Sequence, residues 1–227
     1  MKILGIDTSA KTAGCAVVED DKILSECFVN AGLTHSETMM PMVQNTLAAA
    51  KIDFADIDLV AISGGPGSFT GLRIGMAAVM GMCQSAGKKA LSVSTLLATA
   101  QNAAHLNGYI VPCMDARRNQ VYTATFLCQN GVITRVSEDD ALPAEQALQH
   151  CEKDAPIFLL GDGAHLCYNH FKECQNVTLL PPALRFTKGS GVAYAAAQTA
   201  DEAVSAEDLQ INYIRQSQAE RELAMRK

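Results

Sequence analysis

The 227 residues carry a formal net charge of −6, and 48% of them are hydrophobic against 19% charged. That balance supplies a sizeable core for one large or two small domains, but no general basic field to hold nucleic acid by its phosphates, so any RNA substrate needs help from another subunit. A first strand beginning at Ile3 leaves no room for a signal peptide, and the apolar run Ile74 to Cys83 is half a membrane span, so the expectation is a cytoplasmic protein without membrane contact.

In chain order, Lys2-Ile3-Leu4-Gly5-Ile6-Asp7 reads as a strand ending in a carboxylate, Ala13 to Val18 as a second strand and Lys22 to Phe28 as a third. Thr34-x-x-Glu37 has capping-box spacing and opens a helix carrying Met39, Met40, Val43, Leu47 and Ala50, with Pro41 predicting a late start or a kink. Asp58 to Ile62 is a fourth strand, and Gly64-Gly65-Pro66-Gly67-Ser68-Phe69-Thr70-Gly71 breaks it into a shaped turn. Ser68 or Thr70 can cap the following helix, Phe69 to Ser85, which is apolar on nearly every side.

A strand, a glycine-rich turn and a helix N-terminus make a plausible anion site, but neither common phosphate loop is present. No Gly-Lys-Ser/Thr follows, Gly71 stands one place late for a dinucleotide fingerprint, and no Asp or Glu occurs from Leu59 to Met114. Two readings stay open, a turn that packs a helix tightly and a loop that contacts an anion or a partner.

Lys89 to Val93 is a fifth strand and Thr95 to His105 a helix; then the order begins again. Tyr109 to Met114 is a strand closed by Asp115, followed by a turn, the strands Val121 to Leu127 and Val132 to Val136, a helix Ala144 to His150, the strand Ile157 to Leu160 and a helix opened by Gly161-Asp162-Gly163. Asp7 and Asp115 thus end equivalent strands. Two copies of strand-strand-strand-helix-strand-helix, each first strand closed by Asp, point to an α/β chain of the actin-like (ASKHA, ribonuclease H-like) duplicated fold. Residues 1–106 form the first half and 107–216 a reduced second half with an Ala-rich helix near Val192 to Ala200; 217–227 are a polar tail, read as frayed or disordered.

Eight scattered cysteines without Cys-x-x-Cys read as small buried hydrophobes. In the cluster His165, Cys167, His170 and Cys174, the last three share a helical face, but a zinc site needs a further ligand, and core packing is the preferred reading.

Ile6-Asp7-Thr8-Ser9, His35-Ser36-Glu37, the string Gly64 to Gly75, Met114-Asp115-Ala116-Arg117-Arg118 before Val121-Tyr122, and Gly161-Asp162-Gly163 together resemble the TsaB (YeaZ) family, from Met1 to about Arg215. One departure is Ile211, where the family usually has Pro ahead of Tyr213 and Arg215. The resemblance implies a subunit of the machinery that places threonylcarbamoyl on the adenosine next to the tRNA anticodon. It implies an actin-like fold, pairing with a catalytic TsaD-type paralogue and a TsaE-type ATPase, and tRNA met only through the complex. No cofactor is expected in this chain; ATP and a metal belong to the partner subunits. Actin-like kinases follow the first-strand Asp with x-Gly, and here Thr8-Ser9 follows Asp7. The paralogue's metal motif, Val-Asn-His-Leu-Glu-Gly-His, corresponds to Val93-Ser94-Thr95-Leu96-Leu97-Ala98-Thr99, with threonine at both histidine positions. A non-catalytic scaffold is therefore expected.

Two rivals differ in class. An actin-like phosphotransferase has only Asp7 and Asp115 as an obvious carboxylate pair for a nucleotide, and a protease acting on the paralogue lacks a Gly-x-Ser-x-Gly elbow at Gly67-Ser68. The expected partner surface consists of the methionine-rich helices Ser36–Ala50 and Phe69–Ser85, through Met39, Met40, Val43, Leu72, Arg73, Gly75, Met76, Ala78, Val79 and Met82. The chain alone should form a homodimer on the same surface.

Overall fold

The computed structural model describes residues 1–215; the polar tail expected from 217 lies outside them. Strands β1 (Lys2–Asp7), β2 (Ala13–Glu19) and β3 (Lys22–Val29) form an antiparallel meander. After helix α1 (His35–Ala50), strand β4 (Leu59–Gly65) lies parallel to β1; helix α2 (Phe69–Ala86) then leads to β5 (Ala90–Ser94), parallel to β4. The sheet order is β3-β2-β1-β4-β5. Period-2 alternation sorts its side chains between two layers. Leu4, Ile6, Val17, Val60 and Ile62 pack on Met39, Met42, Val43, Met76 and Val79 of α1 and α2. Ile3, Ala16, Val18, Leu59 and Ala61 face the opposite way.

A short helix α3 (Thr95–Ala100) leads to the second sheet: β6 (Gly108–Asp115), β7 (Gln120–Thr123), β8 (Phe126–Gln129), β9 (Val132–Arg135), β10 (Asp140–Pro143), β11 (Ile157–Leu160) and, after α4 (Ala164–Phe171), β12 (Val177–Leu179). β7 and β8 both pair antiparallel with β6, one along each half of it, so together they occupy the place that β2 holds beside β1. β11 and β12 then extend the sheet in parallel, as β4 and β5 do. The strand order therefore repeats, and the fold is actin-like, with a reduced second copy. Asp7 and Asp115 close the equivalent strands β1 and β6, as expected.

After α5 (Pro182–Arg185), helix α6 (Gly189–Ala197) crosses back and covers the far face of the first sheet with Val192, Ala193, Ala195 and Ala196. Close approach is possible because its start carries no side chain: a Cβ on Gly189 would overlap the Cys15–Ala16 backbone, and one on Gly5 the backbone of Gly189. Leu96 and Ala100 of α3 meet Ile110, Met114 and Phe126 of the second sheet, while Ala98 faces α6.

Several boundaries differ from the sequence reading. Thr34 is the N-cap of α1, but its side chain makes no cap bond; Thr38 Oγ1 instead donates to the Thr34 carbonyl at 3.1 Å. α1 begins at His35 and runs through the exposed Pro41 without a late start. The helix expected at Ala144–His150 is a single turn, Ala144–Gln146, and the strand expected at Val121–Leu127 breaks at Ala124-Thr125 into β7 and β8. Five of the cysteines are buried, as read; Cys27 and Cys151 are half-buried and Cys174 is exposed. The cluster on α4 does not converge: Cys167 lies in the core, His165 meets Arg185 at 2.7 Å, His170 is exposed, and Cys174 falls beyond the helix end. No described helix is long and apolar enough to cross a membrane.

Candidate functional site

The carboxyl ends of β1, β4, β6 and β11 gather the motif residues, which is where open α/β sheets place their ligand sites. The segment after β1 is covered. Asp7, Thr8 and Ser9 are fully buried. The Ser68 amide donates to the Ser9 carbonyl at 2.7 Å, and Thr8 Oγ1 donates to the Gly71 carbonyl at 2.9 Å. Gly67 and Gly71 have no room for a Cβ against the Ser9 and Thr8 carbonyls, and Gly75 is pressed against the Thr8 side chain. The glycines of the loop thus let it close over the end of β1. Ser68 caps α2, its Oγ accepting from the Gly71 amide at 3.3 Å.

Asp7 lies beneath this cover. Its Oδ1 accepts from Ser9 Oγ at 2.6 Å and from the Ser9 amide at 3.3 Å, whereas Oδ2 has no partner. The Ser63 hydroxyl stands beside the carboxyl without a well-formed hydrogen bond. Burial pushes the Asp7 pKa upward, opposed by the bonds from Ser9. His35 Nε2 lies 2.8 Å from the Ala10 carbonyl; a carbonyl only accepts, so Nε2 carries the proton and the buried Nδ1 is left unpartnered. Asp115, by contrast, is exposed, and its Oδ1 accepts from the Arg117 amide at 2.8 Å. The two weak nucleotide candidates sit in opposite environments.

Thr95 and Thr99 are fully buried. Thr99 Oγ1 donates to the Thr95 carbonyl at 2.7 Å and lies 2.6 Å from Thr187 Oγ1, on the segment leading into α6. Among the described residues Thr95 Oγ1 has no hydrogen-bond partner; two neutral threonine hydroxyls, that of Thr99 already held by the Thr95 carbonyl and Thr187, do not fit a zinc- or iron-type metal centre.

Arg73 finds a specific partner group on the last described segment. Its Nε donates to Tyr213 Oη at 2.9 Å, and its guanidinium lies over the rings of Phe69 and Tyr213, which stack at 4.4 Å and 10°. That segment pairs with Ala90 at Val204, accepts from Ser92 Oγ at the Gln210 carbonyl (2.8 Å), and donates from the Asn212 amide to the Gly64 carbonyl at 2.8 Å. Arg215 then reaches the second half, where Nη2 donates to Gln120 Oε1 at 2.6 Å and the guanidinium lies over Tyr122. The stretch preceded by Ile211 is therefore a strap joining the loop after β4 to the turn after β6. The sequence reading did not place it; the spacing Tyr213-x-Arg215 was its only signal.

The expected partner surface needs correction. Met39, Val43, Leu72, Gly75, Met76 and Val79 belong to this chain's own interior. Each meets the sheet, the neighbouring helix or the end of β1, so α2 is not exposed all round. Gly71 and Gly75 receive Thr8, leaving no groove for a second helix there. Met40 and Arg73 are exposed, and Ala78 and Met82 half-buried, so an outer ridge remains.

Residues 29–221 match the family described as TsaD, tRNA N6-adenosine threonylcarbamoyltransferase. The tRNA threonylcarbamoyladenosine biosynthesis protein TsaB of Bacillus subtilis is 35% identical over 167 residues, covering 73% of each chain. The chain belongs to the TsaB (YeaZ) family. The Haemophilus influenzae TsaB is 29% identical over 95% of this chain and 94% of its own. The solved YeaZ of Pseudomonas aeruginosa is 25% identical, with a TM-score of 0.78 over 93% of this chain and 99% of that one. The covered β1 end and the threonines at positions 95 and 99 are thus features of a TsaB-family chain whose wider family is named for a transferase.

Proposed function

We propose that this chain is a non-catalytic subunit in tRNA threonylcarbamoyladenosine biosynthesis in the cytoplasm, supporting a TsaD-type catalytic paralogue together with a TsaE-type ATPase. The observation that carries this is the closed end of β1: Asp7, one of the two strand-end carboxylates in the place of an actin-like phosphate site, is buried beneath Ser9 and the loop Pro66–Gly71. An ionised group there cannot meet a nucleotide or a metal without displacing that loop. The threonine pair at 95 and 99 supports the same reading, because neutral hydroxyls are poor metal ligands and that of Thr99 is spent on the Thr95 carbonyl and on Thr187. Family membership supplies the pathway.

In this reading the chain's contribution is a surface. The outer ridge of α1 and α2, with Met40, Arg73, Ala78 and Met82, is the docking face for the paralogue and for a second copy when the paralogue is missing. The purified chain should neither turn over ATP nor modify tRNA alone, and modification should appear when paralogue and ATPase are added. The variant Ala78→Glu with Met82→Glu should remain folded by circular dichroism, stay monomeric by light scattering and lose the paralogue. Steady ATP turnover that survives extensive purification and vanishes in Asp7→Ala would sink the non-catalytic reading. A folded double variant that still binds the paralogue would place the interface elsewhere.

A further inference from the structure

The turn after β6 has a backbone that ordinary residues avoid. Arg117, Arg118 and Asn119 all have positive φ, at 66°, 55° and 58°. Three consecutive non-glycine residues in the left-handed region are costly, and such strain persists only where the surroundings hold it. Here they do. Asp115 Oδ1 accepts from the Arg117 amide at 2.8 Å, and Asp162 Oδ1 accepts from the Asp115 amide at 3.1 Å. Arg215 grips the turn through the Ala116 carbonyl and Gln120, and the Asn119 carbonyl accepts from the Ala144 amide at 3.2 Å. The nearby acids Asp115 and Asp162 are thus engaged with backbone. Arg117 and Arg118 are exposed, and among the described residues neither side chain makes an ion pair or a hydrogen bond.

The geometry points to Arg117 and Arg118 as a phosphate-contacting site for tRNA, supplied to the assembly by this chain. The inference rests on the subunit reading above and deepens it. Guanidinium forks match phosphate oxygens bidentately, and the braced turn presents two of them without its backbone first having to be ordered. Tyr213, two residues before the Arg215 that grips the turn, is already stacked on Phe69 and held by Arg73, so the contact is one of charge alone. The choice of tRNA over an acidic protein surface rests on the pathway named for the family's members. The overall charge of −6 confines the effect to this patch, so the site adds to the paralogue's own contacts and does not hold tRNA by itself.

The test uses the reconstituted complex with the paralogue and unmodified tRNA transcript. R117N/R118N removes both charges while keeping a residue type that accepts positive φ. R117K/R118K keeps the charges. Co-elution with the paralogue is measured first, then tRNA affinity across a salt series. The expected result is unchanged co-elution, an affinity about tenfold or more lower for R117N/R118N near 0.1 M salt, and a log–log salt slope shallower by about 0.7–0.9 for each lost contact. R117K/R118K should retain the wild-type slope. Unchanged affinity and slope in a co-eluting R117N/R118N complex overturns the site and leaves the subunit reading intact. Loss of co-elution in R117N/R118N alone assigns the arginines to an acidic protein partner and overturns the RNA assignment. A wild-type chain that fails to co-elute overturns both.

Discussion

Asp7 shows how one residue sets the character of the site. A carboxyl whose pKa is raised by burial keeps its proton in the native chain at pH values where the unfolded chain has released it. Stability therefore falls as pH rises from the ordinary carboxyl range through the raised native value, and below that window no penalty remains. Asp7→Asn keeps the acceptor for Ser9 and turns the partnerless Oδ2 into a donor beside Ser63. It should match the wild type near pH 4 and exceed it at pH 7–8, as read from urea midpoints. A wild type that gains on the variant as pH rises would mean a charged, well-paired carboxylate. Glycines give a second contrast at this scale. Gly189→Ala forces the start of α6 off the β2 backbone and should cost about 1–3 kcal/mol. Gly81 has open space around it within α2, so Gly81→Ala should gain up to about 1 kcal/mol through helix propensity. Urea unfolding of both variants checks the signs.

Among the elements, the strap and α2 depend on one another. An Arg near the start of a helix gains nothing from the dipole, so Arg73 is held by what it touches: Tyr213 Oη and two ring faces. Tyr213→Ala removes the stack on Phe69, a pair worth about 0.5–1.5 kcal/mol beyond the area it buries. Hydrogen exchange at the Asn212 amide, which donates to Gly64, should then accelerate, and Arg73→Ala should do the same. Lys22→Ala, at the exposed start of β3, should leave that amide unchanged; equal effects of Arg73→Ala and Lys22→Ala would remove any special role for Arg73. The five strands of the first sheet, β6, β9 and β11, both main helices and the Asp-closed duplication were legible because period and turn chemistry are local; the short strands β10 and β12 were not. The break between β7 and β8, the single turn at Ala144–Gln146 and the course of the strap were not, since each is decided by contacts far along the chain. The same holds for the partner surface. An apolar helix looks alike in sequence whether its far side meets a partner or, as Gly75 does, the chain's own Thr8. Arg117 and Arg118 were visible as part of a motif, but their left-handed backbone was not, because neither residue type announces it.

For the whole molecule, the two sheets are joined by an exchange of helices. α3 belongs to the first half by sequence yet lays Leu96 and Ala100 against the second sheet, and α6 belongs to the second half yet covers Ile3, Val18 and Leu59 of the first. A fragment of residues 1–106 therefore lacks the cover for one whole face of its sheet. It should be aggregation-prone, without the dispersed methyl resonances of a packed core, whereas the same fragment mixed with 107–227 should recover them. A fragment 1–106 that unfolds cooperatively alone would show that α6 is dispensable to the first sheet.

The late position of α6 also has a consequence for how the protein is made. Roughly a hundred residues separate the end of β5 from the start of α6, which at about 5–20 residues per second is an interval of about 5–20 s on the ribosome. Throughout it, the face bearing Ile3, Val18, Leu59, Ala61, Leu91 and Val93 has been synthesised but cannot be closed by its own chain. Nascent chains stalled just after Arg185 should be cut readily within the first sheet by added protease. Chains stalled far enough downstream for Ala197 to clear the exit tunnel should resist. Emergence of one nine-residue helix is thus the event that commits the first sheet to its final state.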